Sequence, residues 1–135
     1  MLGELISEDR GQVTNTRVLP SEPGQGPRLE ISFESHGTML GIDYQEVATY
    51  TGVARPDGSI FGEGQGLVSS SGGDVATWRG GGVGRMTDTG GTEFRGAIYF
   101  ETASPNWAHL NGVAGVFEYA NDESGKTESK VWEWR

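Results

Sequence analysis

The fold is decided by two neighbouring glycine-rich segments, Ser59–Ser69 (SIFGEGQGLVS) and Val75–Met86 (VATWRGGGVGRM). In each segment, three glycines at alternate positions share one face with large apolar residues. They are Gly62, Gly64 and Gly66 in the first segment, and Gly80, Gly82 and Gly84 in the second. Alternation with a period of two predicts strands, and the short turn between the segments predicts that they pair. Six missing side chains on one face let a small sheet coil tightly or leave open volume inside it, which favours a barrel over a sandwich.

The remainder of the chain also shows strands separated by turn signals. Arg55-Pro-Asp-Gly58 is a strong turn signal because proline presets the backbone and glycine follows aspartate. The predicted strands cover residues 12–19, 28–36, 39–54, 59–69, 75–86, 92–102, 112–120 and 127–134. One helical turn is predicted at 104–110, with Ser104 as N-cap and Pro105 in the first position. The sequence therefore predicts an all-β chain, one domain over residues 1–135 that forms an antiparallel barrel of about eight strands.

Composition excludes several classes of function. Ten basic and 19 acidic residues give a net charge of −9, which disfavours binding to nucleic acids and to anionic membrane surfaces. The absence of cysteine excludes disulfides, thiolate zinc sites and cysteine nucleophiles. The first ten residues carry acids where a signal peptide needs bases, and no stretch is long enough to span a membrane. The prediction is a soluble, cytoplasmic protein without nucleic-acid or membrane partners.

Side-chain parity identifies the residues that would face the barrel interior. The predicted ligand-binding residues are apolar or aromatic and lie on the apolar face of their strands: Trp78, Met86, Phe94, Ile98, Phe100, Phe117 and Tyr50. If Tyr50 points inward, then Glu46 on the same strand does too, and these two are the candidate catalytic groups. A mostly apolar cavity with one or two polar groups is typical of a small-molecule site.

The sequence shows no signature of a metal site, a phosphate-binding loop or a serine nucleophile. The two histidines, His36 and His109, are far apart and form no metal-ligand pair, so no metal site and no cofactor are predicted. The glycine runs are not phosphate loops, because no helix follows them. The serines at 69–71 lie in a turn without a nucleophile elbow.

The segment at residues 110–120 (LNGVAGVFEYA) resembles a glycine-rich strand of allene oxide cyclases and dirigent proteins. The matching positions are Gly112, Ala114, Gly115, Phe117, Glu118 and Ala120, whereas Val113 and Tyr119 replace glycines. The whole chain is also similar to small bacterial barrel proteins that share its Glu-Gly-Gln-Gly and Val-Trp-Glu-Trp features. The resemblance implies an allene oxide cyclase-like or lipocalin-like barrel that forms a homo-oligomer, a dimer or a trimer. It transfers no catalytic residue, because the cyclase family's polar residues lie outside the match.

Three functions stay open at this stage. The first is a barrel that binds a hydrophobic small molecule in its interior. The second is a cofactor-free isomerase or cyclase that positions a flexible substrate in the same cavity and acts on one oxygen through a tyrosine or glutamate. The third is a structural, oligomeric scaffold with a filled core. The sequence leaves open whether the protein is an enzyme.

Overall fold

Eight antiparallel strands form a closed barrel in which each strand pairs with its sequence neighbours and the first strand pairs with the last. The computed structural model describes residues 2–135. The strands are β1 (Leu2–Leu19), β2 (Arg28–Met39), β3 (Ile42–Ala54), β4 (Ser59–Ser69), β5 (Val75–Met86), β6 (Thr92–Thr102), β7 (Ala114–Asn121) and β8 (Lys126–Trp134). The predicted all-β barrel of about eight strands is therefore confirmed.

Several strand boundaries differ from the prediction, most clearly the starts of β1 and β3 and the end of β2, which is Met39 rather than residue 36. Strand β1 begins at Leu2 rather than at residue 12, and its pairing with β8 contains register shifts between Leu2 and Leu5 and between Leu5 and Ser7. Strand β3 begins at Ile42, because the chain turns at Leu40 and Gly41, whose φ angles are 51° and 81°. Two successive residues with positive φ are typical of a tight hairpin turn whose twist matches the flanking strands.

A short 3₁₀ helix (Pro105–Gly112) plugs one end of the barrel. Its Trp107 and Leu110 are fully buried, and the Trp107 indole N–H donates a hydrogen bond of 3.1 Å to the Met39 carbonyl. Ser104 occupies the N-cap position as predicted, but its side chain makes no capping bond and instead accepts a hydrogen bond from the backbone N–H of Val75. Within residues 2–135, no helix is long and apolar enough to cross a membrane.

An aromatic cluster lies towards the opposite end of the barrel. It consists of Phe33, Tyr50, Phe94 and Tyr119, whose ring centroids are 5.1–6.2 Å apart in mostly edge-on or tilted pairs. Such arrangements bring a positive ring edge to a negative ring face. The helix and this cluster therefore close the two ends, and the space between them is the barrel interior.

Candidate functional site

A cavity of about 80 Å³ occupies the barrel interior between the helix and the aromatic cluster. Its walls are mostly apolar or aromatic, and the polar groups come from β1, β3, β7 and β8. The side chains that line it are Ser7, Asp9, Phe33, Met39, Tyr44, Glu46, Tyr50, Trp78, Phe94, Ile98, Phe100, Phe117, Tyr119, Ser129 and Val131. The cavity is open space rather than a fully packed core.

The glycine face of β4 and β5 forms one wall of this cavity. Four of the six glycines line it directly: Gly62, Gly64, Gly80 and Gly82. A Cβ at Gly64 would lie 2.6 Å from the Tyr50 Cβ, and one at Gly82 would lie 2.5 Å from the Arg95 carbonyl oxygen, so neither position accepts a side chain without movement. The expected inward orientation of Gly64 and Gly82 agrees with this geometry.

The other two glycines serve a different purpose. The Trp78 indole lies over Gly66 and the Phe94 ring lies over Gly84, where an added Cβ would overlap each ring. Because Gly66 has no side chain, the Trp78 indole can lean across β4 and reach Glu46 on β3. Glycine here therefore permits a contact between residues two strands apart.

Two carboxyl groups, Asp9 and Glu46, lie in this interior, and both are more than nine-tenths buried. Glu46 accepts hydrogen bonds of 2.6 Å from the Ser35 hydroxyl and 2.6 Å from the Trp78 indole N–H. Asp9 accepts a 2.7 Å bond from the Ser129 hydroxyl and a short bond from the Tyr44 hydroxyl. Tyr44 reaches Asp9 across Gly37, which stands between them in the ladder and carries no side chain.

The two carboxyl groups interact with each other, and their pKa values rise together. Burial first, and then the charge of Asp9, raises the pKa of Glu46 to about 7, although bonds from Ser35 and Trp78 oppose the rise. Burial also raises the pKa of Asp9 against the bonds from Tyr44 and Ser129. Ionisation of both carboxyls at once is disfavoured, because two negative charges would then interact in a buried site. The pair therefore shares a proton near neutral pH.

Tyrosine hydroxyls provide the remaining polar groups. The Tyr50 hydroxyl accepts a 3.2 Å bond from the Asn121 amide, whereas the buried Tyr119 hydroxyl has no partner with hydrogen-bond geometry. Burial, followed by the charges of Asp9 and Glu46, raises the pKa of Tyr44, and burial raises the pKa of Tyr119. Both tyrosines are therefore neutral hydroxyls at physiological pH.

The structure brings together most of the residues that the sequence identified. Tyr50, Glu46, Trp78, Phe94, Ile98, Phe100 and Phe117 all line the cavity. Met86 does not, because it is the last residue of β5 and its side chain is 66% exposed. Parity places Met86 on the inward side of its strand, but the position lies at the barrel rim, where no neighbouring wall covers it.

Sequence reasoning missed Asp9 and the hydroxyls that surround the carboxyl pair. Asp9 lies in the part of β1 that was not predicted to be a strand, and Tyr44 was not among the predicted site residues. The alternation of Ser7, Asp9 and Gly11 was the signal that could have found it.

In residues 2–135, no three histidine or acidic side chains cluster as metal ligands, and His109 bonds Glu133 at the surface, 3.0 Å away.

Comparisons with known proteins reveal the fold but no activity. No protein-family profile matches the sequence, and no curated protein matches it either. A protein with unknown function from Clostridium acetobutylicum superposes with a TM-score of 0.83 at 15% identity over 98% of each chain. A conserved protein of unknown function from Rhodopseudomonas palustris superposes with a TM-score of 0.82 at 19% identity, over 98% of this chain and 97% of that one.

A third solved structure, of an enzyme from Penicillium herquei, gives a TM-score of 0.66 at 15% identity, over 98% of this chain and 96% of that one. All three identities are low, so the likeness is one of architecture alone. The similarity to small bacterial barrel proteins is consistent with these neighbours, whereas the resemblance to allene oxide cyclases gains no support from them.

Proposed function

We propose that the chain binds a small, mostly apolar molecule with one polar group inside the barrel. The observation that carries this proposal is an apolar, aromatic-lined cavity into which the Asp9 and Glu46 carboxyls both project. Buried carboxyls are costly unless something compensates them, and apolar walls next to open space gain free energy when a ligand covers them.

The size of the cavity limits the ligand. At about 80 Å³ the cavity is well below the roughly 300 Å³ at which sites for drug-sized molecules begin. It is also smaller than the engineered cavity of about 150 Å³ that admits benzene in another protein. By proportion with benzene, the cavity as it stands holds about three or four non-hydrogen atoms, and a ligand of five or six atoms enters when aromatic side chains rotate.

Nuclear magnetic resonance titration tests this proposal. 1-Butanol, cyclopentanone and n-butylamine are each added to labelled protein, and at least one is expected to shift the signals of Gly80, Gly82 and the Trp78 indole N–H saturably. Gly80→Ala adds a methyl group to the cavity, 3.0 Å from the Ala97 carbonyl, and should weaken binding about tenfold. Gly81→Ala is the matched control, because its methyl group would point outward with ordinary contacts of 3.4 Å.

If none of the three compounds shifts the cavity signals, the binding proposal is wrong and the scaffold with a filled core takes its place. Native mass spectrometry of the protein as purified adds a second check, since it detects a retained ligand and the number of subunits together. We propose a homo-oligomer on resemblance alone, and a purely monomeric spectrum would overturn that part.

A cofactor-free isomerase or cyclase is the second candidate, and the shared proton of the carboxyl pair favours it. An acid–base catalyst works best when its pKa lies near the working pH, and Glu46 meets this condition with a pKa of about 7. In this proposal Glu46 transfers the proton, the charge of Asp9 raises the pKa of Glu46, and Tyr50 helps to orient the substrate. The apolar walls hold the substrate in a reactive conformation.

Exchange of carbon-bound hydrogen in heavy water tests the second candidate. With cyclopentanone, ionised Glu46 would take a proton from the carbon beside the carbonyl, and the resulting enol or enolate would recover a deuteron from the exchanged carboxyl. Wild-type protein should accelerate the exchange, and Glu46→Gln should reduce the acceleration by at least about 100-fold. Equal exchange with wild type and Glu46→Gln would remove the catalytic proposal and leave the binding proposal intact.

A further inference from the structure

The barrel interior contains carboxyl groups that would attract a cation but no basic side chain that would attract an anion. Two carboxyls line the cavity, and within residues 2–135 no lysine, arginine or histidine lines it. The remaining titratable side chains that line it are tyrosines, apart from Glu63, whose exposed side chain points away while its backbone completes the wall. A carboxylate ligand would enter against two buried acids and find no cation.

Each carboxyl still has free capacity to accept hydrogen bonds. A carboxylate offers about four lone-pair sites. Asp9 uses two of them for Tyr44 and Ser129, and Glu46 uses two for Ser35 and Trp78. The donors already present therefore orient the two groups without saturating them.

A third polar group lines the same cavity and points independently to a ligand. The Tyr119 hydroxyl belongs to a side chain that is only 9% exposed, lines the cavity and has no hydrogen-bond partner. The hydroxyl lies close to the Tyr50 hydroxyl and the Asn121 amide, both of which affect its pKa, but it makes no well-formed hydrogen bond with either. A buried hydroxyl without a partner costs free energy that a bound donor would recover.

Aromatic faces complete the surroundings of this region. Tyr50, Phe94, Phe117 and Trp78 all line the same small cavity. The faces of aromatic rings carry negative charge density and attract organic cations, most strongly where water is excluded.

We infer that the ligand is a small organic cation, a primary amine with a short apolar chain, whose ammonium group donates to Asp9 and Glu46. An ammonium group has three N–H donors and no acceptor, which suits two carboxylates that keep free lone pairs. Its charge compensates the buried carboxyls, and its chain covers the aromatic walls. This inference rests on the proposed binding function and specifies the charge of the ligand for that same cavity.

A matched series of compounds tests the inference. Butanoate, 1-butanol and n-butylamine have similar chains and carry a negative charge, no charge and a positive charge. Binding is followed at pH 7.5 by the signals of Gly80, Gly82 and the Trp78 indole N–H. We expect n-butylamine to bind at least about tenfold more tightly than 1-butanol, because hydrogen bonds to charged groups contribute about 1.5–3 kcal/mol, and butanoate not to bind.

Variants locate the preference for positive charge. Glu46→Gln removes one charge but keeps an acceptor of similar shape. It should lower the affinity for n-butylamine about tenfold and change the affinity for 1-butanol less than about threefold. Glu63→Gln is the control, since it removes an acid of the same wall whose side chain faces solvent. It should leave both affinities unchanged.

The outcomes separate the two levels of the proposal. If 1-butanol binds as tightly as n-butylamine, or if butanoate binds, the inference about charge is wrong and the binding function stands. If no compound of the series or of the neutral panel binds, both fail. If Glu63→Gln weakens the amine as much as Glu46→Gln does, the preference comes from the general negative charge of the surface and the inference is overturned.

Discussion

At the scale of single residues, the fold is more stable when Glu46 holds a proton than when it is ionised. Its pKa of about 7 in the folded chain lies above the ordinary value of about 4.3 that it has when unfolded. Between those two values the folded state binds more protons than the unfolded state, so stability falls as pH rises through this window. Asp9, whose pKa is also raised, acts in the same direction.

This linkage predicts the effect of Glu46→Gln on pH dependence. The wild-type free energy of unfolding should fall by on the order of 3 kcal/mol between pH 4.5 and pH 7.5, and the variant should lose most of that slope. The change is measured by urea unfolding at several pH values. Glu63→Gln, a change on the outer face, should keep the wild-type slope, and a steep slope in Glu46→Gln would contradict the assignment.

At the scale of strands, glycine decides which side chains can meet across β4. An Ala at position 66 would overlap the Trp78 indole and displace it from Glu46. We expect Gly66→Ala to cost about 1–3 kcal/mol through overpacking and to shift the Trp78 indole N–H signal.

The neighbouring strand provides the control for this prediction. Gly81→Ala adds the same methyl group on the outer face, where the nearest atom would be 3.4 Å away. It should be neutral or slightly stabilising, because alanine restricts the unfolded chain more than glycine does. Similar urea midpoints for Gly66→Ala and Gly81→Ala would show that Gly66 is not needed for the contact with Trp78.

Strand patterns also explain which parts of the structure could be predicted. Inward-facing and outward-facing residues alternate regularly within β4, β5 and β6. The strands, their pairing and the inward position of Trp78, Phe94 and Ile98 follow from this alternation. The register shifts in β1 make Ile6 and Ser7 both buried, so the inward face changes parity there and continues through Ser7 and Asp9 without an apolar residue to mark it. Gly37 lies between the predicted strands 28–36 and 39–54, but in the structure it stands inside β2, where Tyr44 passes over it to reach Asp9.

At the scale of the whole molecule, barrel closure depends on the last strand. Strand β8 pairs with β7 on one side and β1 on the other, and Val131 from β8 is part of the main core cluster. Removing residues 126–135 would leave two long strand edges unpaired and open the interior to water.

We therefore expect the chain truncated after residue 125 to lose cooperative unfolding. The measurements are a urea transition and the dispersion of amide signals. Removing Arg135 alone is the control, because this residue follows β8 and bonds only Glu133 at the surface. A truncated chain with a sharp transition and dispersed signals would show that seven strands suffice.

Pairing of the first strand with the last has one more consequence, for protein engineering. Leu2 is opposite Trp134, so both ends of the described chain leave the barrel at neighbouring points. A short linker could join them, and new termini could be opened at Glu123 and Ser124, in an exposed turn at the other end. Such a circular permutant would retain every strand pairing while exchanging which end of the barrel carries a fused tag or partner.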